Sequence, residues 1–398
     1  MSSRADTPAR CTPLHLYVHV PVCRSKCSYC DFFSMAAGSL PLETEQLAQL
    51  LLDQALGWLE RGLEGRPLAS LYVGGGTPSI LGPALPALVE RICAAYGCEP
   101  GAEVTVEANP DSLDRELAAD LRLAGVTRLS LGVQSFNDAE LRLLGRVHDA
   151  SQARAAARHA CEAGLALSLD VMCGVPGQDA ATWRATLEAA LAAGAGHLSV
   201  YPLALEAGTP LAAAVLLGDV PEPDADAAAD AMIAASELLG AAGLTRYEVA
   251  NHARPGHESR HNTAYWTGAE YLGVGPSAHG MLDAATARAA GFVGVSESTA
   301  RVRYAVASDL GEGLARTPRV DVEMLGLAEA AREDAMLGMR LAAGITDELA
   351  TGSGTGDALL SLERDGLVVH EASRWRVTPR GWLLGNEVFA RIWNADVV

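Results

Sequence analysis

The chain alternates short apolar segments with longer helix-forming segments, and this repeat constrains the fold more than any other feature. Six segments have strand-like character, and each is followed by a longer helical stretch: 14–20, 68–73, 103–108, 128–133, 166–172 and 197–203. Such alternation is typical of parallel sheets, because a crossover must return the chain to the same end of the sheet. Six units predict an α/β protein with a partial (β/α)6 barrel. A doubly wound open sheet has the same alternation and stays open as the alternative.

The pattern changes towards the C-terminus, and we therefore divide the chain into four parts. We expect a tail over 1–13, the partial barrel over 14–280, a connecting segment over 281–325 and a small domain over 326–398. The last part combines a helical run that begins near Arg332, a helix at 357–365, two β-like pieces on either side of Ser373 and a helix at 380–392. This order predicts a small α+β domain that resembles a winged helix, for which we favour a packing role over DNA binding.

The composition limits the partners and the compartment. The net charge is −19, and an acidic chain is repelled by nucleic acids and by anionic membranes. We expect no nucleic-acid partner, no secretory leader and no membrane span, because the first residues are polar and the apolar stretch 189–218 is interrupted by His197, Pro202 and Glu206. A cytoplasmic protein is therefore predicted, and transient contact with a membrane stays open. In the cytoplasm, the eight cysteines are expected to be free, metal-bound or catalytic rather than paired in disulfides.

Polar or glycine-rich segments follow all six predicted strands. In chain order they are the cysteine loop, Gly74-Gly75-Gly76-Thr77-Pro78, Glu107-Ala108-Asn109-Pro110, Gln134-Ser135-Phe136-Asn137, Asp170, and Tyr201 with Glu206. The carboxyl ends of parallel strands lie at one edge of the sheet, where α/β proteins bind their ligands. The sequence therefore predicts one shared site at this edge.

Three cysteines, Cys23, Cys27 and Cys30, form a CxxxCxxC loop after the first strand. A structural zinc site has four protein ligands, whereas three thiolates on a four-iron cluster leave one iron open for a ligand. We favour the cluster, and a zinc loop completed by Cys11 or His19 is the alternative. The cysteines at 93, 98, 161 and 173 lie in helix or strand contexts and are expected to be small core residues.

The cysteine spacing, with Tyr29 directly before the third cysteine, resembles the radical S-adenosylmethionine (SAM) superfamily. The resemblance implies a [4Fe–4S] cluster on the three cysteines, SAM at the open iron, a partial (β/α)6 barrel and a reductant protein that supplies electrons. It also implies these SAM contacts: Tyr17, Tyr29, Gly74, Gly75, Gly76, Glu107, Gln134, Arg146 and Asp170. From the residues alone, the glycine run could be an ordinary turn and Arg146 a surface arginine of a helix.

Further motifs narrow the resemblance within this superfamily. LYVHVPVC, GGGTPS, VEANP, LSLGVQSF, LLGRVH, DVMCGVPGQ and YEVANHARPG occur in order and resemble the family that contains oxygen-independent coproporphyrinogen III dehydrogenase and the heme chaperone HemW. The dehydrogenase has a further cysteine where this chain has Phe32, and a longer extension before the first strand. Both departures favour the chaperone branch.

A HNxxYW motif also resembles the chaperone branch, in which it is linked to heme. It consists here of His261, Asn262, Tyr265 and Trp266. A histidine can bind heme iron and aromatic rings can flank the macrocycle. Without the resemblance, the favoured interpretation would be a capped turn with two aromatic residues packed in the core.

The resemblance thus implies a heme chaperone that passes heme to apo-hemoproteins, rather than an enzyme. The alternatives are a coproporphyrinogen III dehydrogenase, which would convert propionates to vinyl groups, and a zinc-stabilised interaction protein. Whether the protein is an enzyme, and whether it is a monomer or a homodimer, stays open at this point.

Overall fold

The computed structural model describes residues 12–395, so Cys11 and most of the expected tail over 1–13 lie outside the described residues. The strands are β1 Leu14–Val20, β2 Val22–Cys23, β3 Met35–Ala36, β4 Leu68–Gly75, β5 Cys98–Ala108, β6 Arg128–Gln134, β7 Ala166–Cys173, β8 His197–Pro202, β9 Thr245–Arg246, β10 Asn251–Ala253, β11 Tyr271–Val274, β12 His279–Asp283, β13 Thr299–Val306, β14 Val320–Gly326, β15 Ile345–Thr346, β16 Val368–Glu371 and β17 Arg374–Val377. All but five of them form one mixed sheet of twelve strands.

The α-helices cover the sheet and build the C-terminal part. They are α1 Thr44–Trp58, α2 Ala84–Tyr96, α3 Arg115–Leu123, α4 Asp138–Leu143, α5 Ala150–Glu162, α6 Ala180–Ala192, α7 Pro210–Leu217, α8 Ala225–Ala241, α9 Arg260–Trp266, α10 Ala284–Ala289, α11 Leu310–Gly313, α12 Leu327–Gly338, α13 Asp347–Gly352, α14 Gly356–Arg364, α15 Pro379–Leu383 and α16 Gly385–Trp393. Among the helices over residues 12–395, none combines the length and the apolar character needed to cross a bilayer.

The six predicted strands lie side by side in chain order. β1 pairs with β4, and the series continues through β5, β6, β7 and β8 with every pair parallel. A doubly wound sheet reverses its strand order in the middle, whereas a barrel winds in one direction. The predicted partial (β/α)6 barrel is therefore confirmed and the doubly wound alternative is wrong. A seventh parallel strand, β11, pairs with the other edge of β1.

The two faces of β1 show why the barrel has an apolar wall and a polar interior. Leu14, Leu16 and Val18 are fully buried in the main core between the strands and the helices. Side chains alternate across a strand, so His15 and Tyr17 lie on the opposite face. There they meet other polar groups: His15 Nδ1 lies 2.8 Å from Ser70 Oγ of β4.

The segment 281–325, expected only to connect two parts, contributes strands to the central sheet. β12 pairs antiparallel with β11, and β13 and β14 continue the sheet in the same sense. These strands lack the βα rhythm because antiparallel neighbours need no helical crossover. The boundaries of the four proposed domains stay a prediction.

The C-terminal part has its own small core and the predicted mixture of helices and a hairpin. Met339, Leu359, Val388 and Ile392 are fully buried there, and the strand order is β15-β17-β16. The predicted small α+β domain is confirmed, with an additional helix α13, an additional strand β15, and the predicted last helix divided into α15 and α16. Trp382 attaches this domain to the barrel, because its Nε1 donates a hydrogen bond to the carbonyl oxygen of Val249 at 2.7 Å.

A buried carboxylate also joins the two parts. Glu333 of α12 is 3% exposed and accepts hydrogen bonds from Arg301 (2.6 Å) and Arg303 of β13. Arginine supplies the directed donors that such a carboxylate needs after it loses water. The network therefore holds the small domain against the edge of the central sheet.

We predict that Glu333→Ala lowers the free energy of unfolding by about 3–5 kcal/mol, because it leaves two arginines without their buried partner. Glu323→Ala is the matched control: Glu323 pairs with the same Arg303, but its side chain is 56% exposed, and a loss of about 1 kcal/mol or less is expected. Denaturant unfolding of both variants measures the difference. Equal losses would contradict the role of the buried network.

Candidate functional site

A cavity of about 490 Å³ lies at the carboxyl ends of the parallel strands, as predicted. Ten predicted residues line it: Cys23, Cys27, Tyr29, Cys30, Gly75, Gly76, Glu107, Gln134, Arg146 and Asp170. Gly74 and Tyr17 do not line it. A Cβ atom at Gly74 would lie 2.8 Å from the Tyr72 ring and 2.9 Å from the Glu107 carboxyl group, and the Tyr17 hydroxyl is directed to His19 Nδ1 at 3.1 Å. The SAM contacts of both residues stay predictions.

The cysteine loop is held in place from three sides. Its short strand β2 pairs in parallel with β3, which follows the last cysteine. Ser28 in the middle of the loop receives a hydrogen bond from the backbone amide of Leu211 at 2.8 Å and donates from its Oγ to the carbonyl of Leu143 at 2.9 Å. A loop with so many backbone partners can present its thiols in a fixed arrangement.

The thiols fit a group larger than a single metal ion. Cys23, Cys27 and Cys30 are free and line the same cavity, yet no group of three His, Cys, Asp or Glu residues among residues 12–395 is placed to hold one ion. The Nε2 atom of His19 lies 2.9 Å from the carbonyl oxygen of Phe33, so both ring nitrogens of His19 already have partners. The donor set therefore matches a cluster held by three thiolates and not a zinc loop completed by His19.

Arg146 connects this loop to the neighbouring strand ends. Its Nη1 donates to the sulfur of Cys27 at 3.2 Å, and its Nη2 donates to Asn109 Oδ1 at 2.7 Å and to the carbonyl of Gly132 at 2.6 Å. Arg146 is thus part of the cavity wall and not a surface arginine. A guanidinium beside a thiolate offsets its negative charge, as a group around an iron–sulfur cluster must.

The remaining cysteines correct one prediction. Cys173 is buried as expected and Cys93 is partly buried, but Cys98 and Cys161 are exposed. Cys98 begins strand β5 and Cys161 lies in the last turn of α5, where the elements leave the core. The apolar context in the sequence did not reveal these end positions.

The glycines after β4 are required by close packing. A Cβ atom at Gly75 would lie 2.7 Å from the His19 ring, and this residue has φ +112°. A Cβ atom at Gly76 would lie 2.4 Å from the carbonyl oxygen of Val22. Only glycine fits there, and this lets β4 end directly beside the cysteine loop. Gln134, at the end of β6, also has a left-handed backbone, with φ +67°, a strain that is common at ligand sites.

Two buried carboxylates share the cavity. Glu107 accepts hydrogen bonds from Tyr72 Oη at 2.7 Å and from the Gly75 amide at 3.0 Å. Burial, together with the negative charge of the nearby Asp170, raises the pKa of Glu107 to about 7. Burial also raises the pKa of Asp170, whose oxygens lie 3.5 Å from Ser130 Oγ. Free acceptor positions on both carboxylates suit the hydroxyls of a ribose.

The HNxxYW motif lies at the opposite, amino end of the strands. His261 is 1% exposed, with Nδ1 2.7 Å from Ser70 Oγ and Nε2 2.8 Å from Tyr265 Oη. Burial lowers its pKa to about 3, so the ring stays neutral. Trp266 packs under the guanidinium of Arg340 at 5.1 Å, in contact with the C-terminal part. Asn262 is partly exposed. The heme-related roles of these residues stay predictions.

A further buried carboxylate, Glu103, anchors helix α9, which carries this motif. It accepts hydrogen bonds from Ser259 Oγ (3.2 Å), the Arg260 amide (3.0 Å) and the His261 amide (3.1 Å). A carboxylate at a helix N-terminus offsets the partial positive charge of the free amides. Glu103 was not among the predicted site residues, although its place in the β5 segment EVTVEA, four residues before Glu107, puts both acids on the same face.

Tyr72 links the two ends of the barrel and was also missed. Its ring centroid lies 5.1 Å from that of His261, while its hydroxyl donates to Glu107 in the cofactor cavity. One side chain thus contacts both the HNxxYW motif and a predicted SAM contact. The signal in the sequence was its position two residues before Gly74, on the inward face of the strand.

A partial barrel with a three-cysteine loop and a polar cavity at its carboxyl end defines a protein of the radical SAM class. Accordingly, residues 17–190 match the Radical SAM superfamily and residues 325–384 match the HemN C-terminal domain. The structure is similar to that of the coproporphyrinogen III oxidase HemN from Escherichia coli, with a TM-score of 0.76 over 98% of this chain and 92% of that one. At 21% identity, this likeness shows the fold alone.

The sequence relatives are more specific. The heme chaperone HemW of Mycobacterium tuberculosis H37Rv is 36% identical over 379 residues, 94% of each chain. The heme chaperone HemW of Escherichia coli is 39% identical over 277 residues, 68% of this chain and 70% of that protein. The chain belongs to the HemW family. Membership in a radical SAM family implies a [4Fe–4S] cluster and SAM, and the cavity described above fits both.

We predict that Cys27→Ser abolishes cluster binding, because one of three thiolates and the partner of Arg146 are lost together. Iron and sulfide are measured after reconstitution without oxygen, and the variant is expected to retain less than about a tenth of the wild-type content. Cys98→Ser is the control, since Cys98 is exposed and does not line the cavity, and it should bind a full cluster.

We predict that Tyr72→Phe moves SAM binding to higher pH. In the wild type, the hydrogen bond from the Tyr72 hydroxyl favours the ionised form of Glu107. Removal of this hydroxyl therefore raises the pKa of Glu107 further. A carboxylate accepts ribose hydroxyls above its pKa and loses this ability as the pH falls through it. Binding is therefore expected to weaken several-fold near neutral pH and to recover in alkali.

Equilibrium titration of SAM across a range of pH gives the profile. Tyr96→Phe is the control, because its buried hydroxyl donates to the carbonyl oxygen of Ala55 and Tyr96 does not line the cavity. Identical profiles for wild type and Tyr72→Phe would show that the hydroxyl does not position Glu107.

Proposed function

We propose that this chain is a cytoplasmic heme chaperone that binds heme and transfers it to apo-hemoproteins, with a [4Fe–4S] cluster and SAM at the carboxyl end of its barrel. One observation carries the proposal: 36% identity to the heme chaperone HemW across 94% of both chains. The ten predicted residues that line one cavity support the cofactor part of the proposal.

In this proposal the carboxyl end of the barrel handles SAM. Cys23, Cys27 and Cys30 would hold the cluster, which in its reduced form would supply the one electron needed to break a carbon–sulfur bond of SAM. The protein's own groups have simpler tasks: three thiols hold the cluster, Arg146 offsets thiolate charge, and Glu107 and Asp170 accept hydrogen bonds from hydroxyls. The glycines allow the backbone to approach the ligand closely.

The opposite end is proposed to handle heme. A second cavity, of about 720 Å³, opens beside helix α9 and is lined by Arg260, His257 and Thr263 among others. Cationic groups suit the propionates of heme, and helix α9 carries His261, Asn262, Tyr265 and Trp266. Because both ring nitrogens of His261 have partners, an iron bond from this residue requires the loss of one of them, Ser70 at Nδ1 or Tyr265 at Nε2.

The dehydrogenase alternative has weaker support. Phe32 occupies the position of the additional cysteine of the dehydrogenase, and the similarity to HemN shows only the fold.

The proposal predicts that the purified protein binds heme with micromolar or tighter affinity and transfers it to an apo-hemoprotein such as apomyoglobin. Absorption spectroscopy follows both steps. Transfer without any conversion of coproporphyrinogen III, tested anaerobically with SAM and a reduced cluster, is the expected result. Formation of protoporphyrinogen would overturn the chaperone proposal.

Matched histidine variants locate the heme. His261→Ala is expected to weaken heme binding at least about tenfold or to change its spectrum, because it alters the helix that borders the second cavity. His252→Ala is the control, since His252 is equally buried but does not line that cavity. Thermal unfolding of each variant separates loss of the ligand site from loss of the fold. Wild-type heme binding by His261→Ala would remove the motif from the proposal.

A further inference from the structure

His257 lies at the amino end of the barrel, in the loop that precedes helix α9, and it is exposed where it lines the second cavity, of about 720 Å³. Its hydrogen bonds with residues 12–395 use the backbone only. The amide donates to the carbonyl of Arg254 and the carbonyl accepts from Arg128, both at 2.9 Å. The backbone of His257 is therefore fixed, while both ring nitrogens stay available to a ligand.

A glycine gives the His257 ring its place. A Cβ atom at Gly196, the residue before β8, would lie 2.5 Å from Nδ1 of His257 and 2.9 Å from Cε1. The backbone of Gly196 is itself held, because its amide donates to the carbonyl of Leu167 at 3.1 Å and its carbonyl accepts from the Arg254 amide at 2.9 Å. The absence of a side chain lets the Nδ1 edge of the ring pack against this backbone, which leaves Nε2 as the nitrogen for a ligand.

Two other histidines beside this cavity are less accessible. His261 is 1% exposed and has a partner at each ring nitrogen. His15 lines the cavity but is partly buried, with Nδ1 2.8 Å from Ser70 Oγ and its ring edge-on to the His261 ring at 6.1 Å. The iron of heme lies at the centre of a flat macrocycle, so a histidine must project from the protein surface to reach it. His257 does so without any rearrangement.

A buried arginine makes this cavity suitable for an anionic ligand. Arg128 is 7% exposed and donates to neutral acceptors, a backbone carbonyl and Ser168 Oγ at 3.2 Å, while its Nε has no partner within residues 12–395. Its interaction with Asp170 acts through space. The two acids that line the cavity, Glu103 and Glu258, accept hydrogen bonds from backbone amides instead. A buried positive charge is costly without an anion, and the propionates of heme supply one.

We propose that Nε2 of His257 binds the iron of heme in the second cavity, and that Arg128 and Arg260 provide the positive charge for the propionates. The neutral ring donates its Nε2 lone pair to the iron and keeps its proton on Nδ1, so one iron–nitrogen bond forms and no proton is released. His261 then positions helix α9 and does not touch the iron. An exposed ligand suits a chaperone, because a recipient protein can reach and replace it. The inference rests on the proposed heme function and adds the residue that binds the iron.

Absorption and electron paramagnetic resonance spectra of the heme-loaded protein test this assignment. His257→Ala is expected to lose the signature of histidine-bound iron and to bind heme about tenfold or more weakly. Free imidazole should restore the histidine-type spectrum of this variant, because it brings the same donor to the iron. His370→Ala is the matched control, since it removes an exposed histidine of the C-terminal part. It should keep the wild-type spectrum and affinity, and His15→Ala should keep the spectrum.

A second variant moves the His257 ring without removing it. Gly196 is not among the glycines with a left-handed backbone, so alanine fits its conformation, but the added methyl group displaces the ring. Gly196→Ala is therefore expected to weaken heme binding roughly threefold or more, while its thermal unfolding stays close to that of wild type. His261→Ala, by contrast, should bind heme more weakly but retain the histidine-type spectrum, because the ligand is still present.

The possible results separate this inference from the proposed function. A wild-type protein that binds no heme would overturn both. A wild-type spectrum in His257→Ala would overturn the ligand assignment and leave the chaperone proposal intact. The assignment would also fail if His15→Ala or His261→Ala lost the histidine-type spectrum while His257→Ala kept it. A spectrum of His257→Ala that imidazole does not restore would overturn it as well, because it would show a damaged cavity and not a missing donor.

Discussion

The close fit between the end of β4 and the cysteine loop is the contact on which the rest of the site depends. The amide of Gly76 donates to the carbonyl of Val20 at 2.9 Å, and the amide of Thr77 donates to Val22 at 2.7 Å. A side chain at Gly76 would collide with the carbonyl of Val22. This contact turns the chain after β1 across the strand ends, so that three thiols, two carboxylates and one guanidinium face a single cavity. The order of the strands and the positions of the glycines thus together determine which side chains face the cavity.

The barrel interior is polar, and this has a functional meaning beyond packing. Apolar residues of β1 and its neighbours stabilise the outer layer, while the inner face carries tyrosines, histidines and acids that need partners. Tyr72 donates a hydrogen bond to Glu107 at the carboxyl end of the barrel, and its ring packs on the His261 ring at the amino end. Two ends that contain different predicted ligand sites therefore share one side chain.

Much of this architecture could be predicted from the sequence, because strand–helix alternation and cysteine spacing are local signals. The six strands and the composition of the carboxyl-end cavity follow from them. Strands β11 to β14 could not be predicted in the same way, because they are antiparallel or very short and depend on partners far away in the chain.

The position of the HNxxYW motif could not be predicted from the sequence either. Periodicity shows which face a residue occupies, but not to which end of the barrel the chain returns after β8. Tyr17 and Gly74 illustrate the same limit, since a place on the inward face does not guarantee a place in the cavity wall.

The cysteine loop contains the only lysine of the chain, the exposed Lys26, and this gives the chain an unusual pattern of proteolysis. A protease that cleaves after lysine has one peptide bond to attack in the whole protein, between Lys26 and Cys27. Cutting there would separate Cys23 from the other two cluster ligands. The fraction of the chain that such a protease leaves intact therefore measures how accessible this loop is. It shows whether a cofactor or a partner covers the loop.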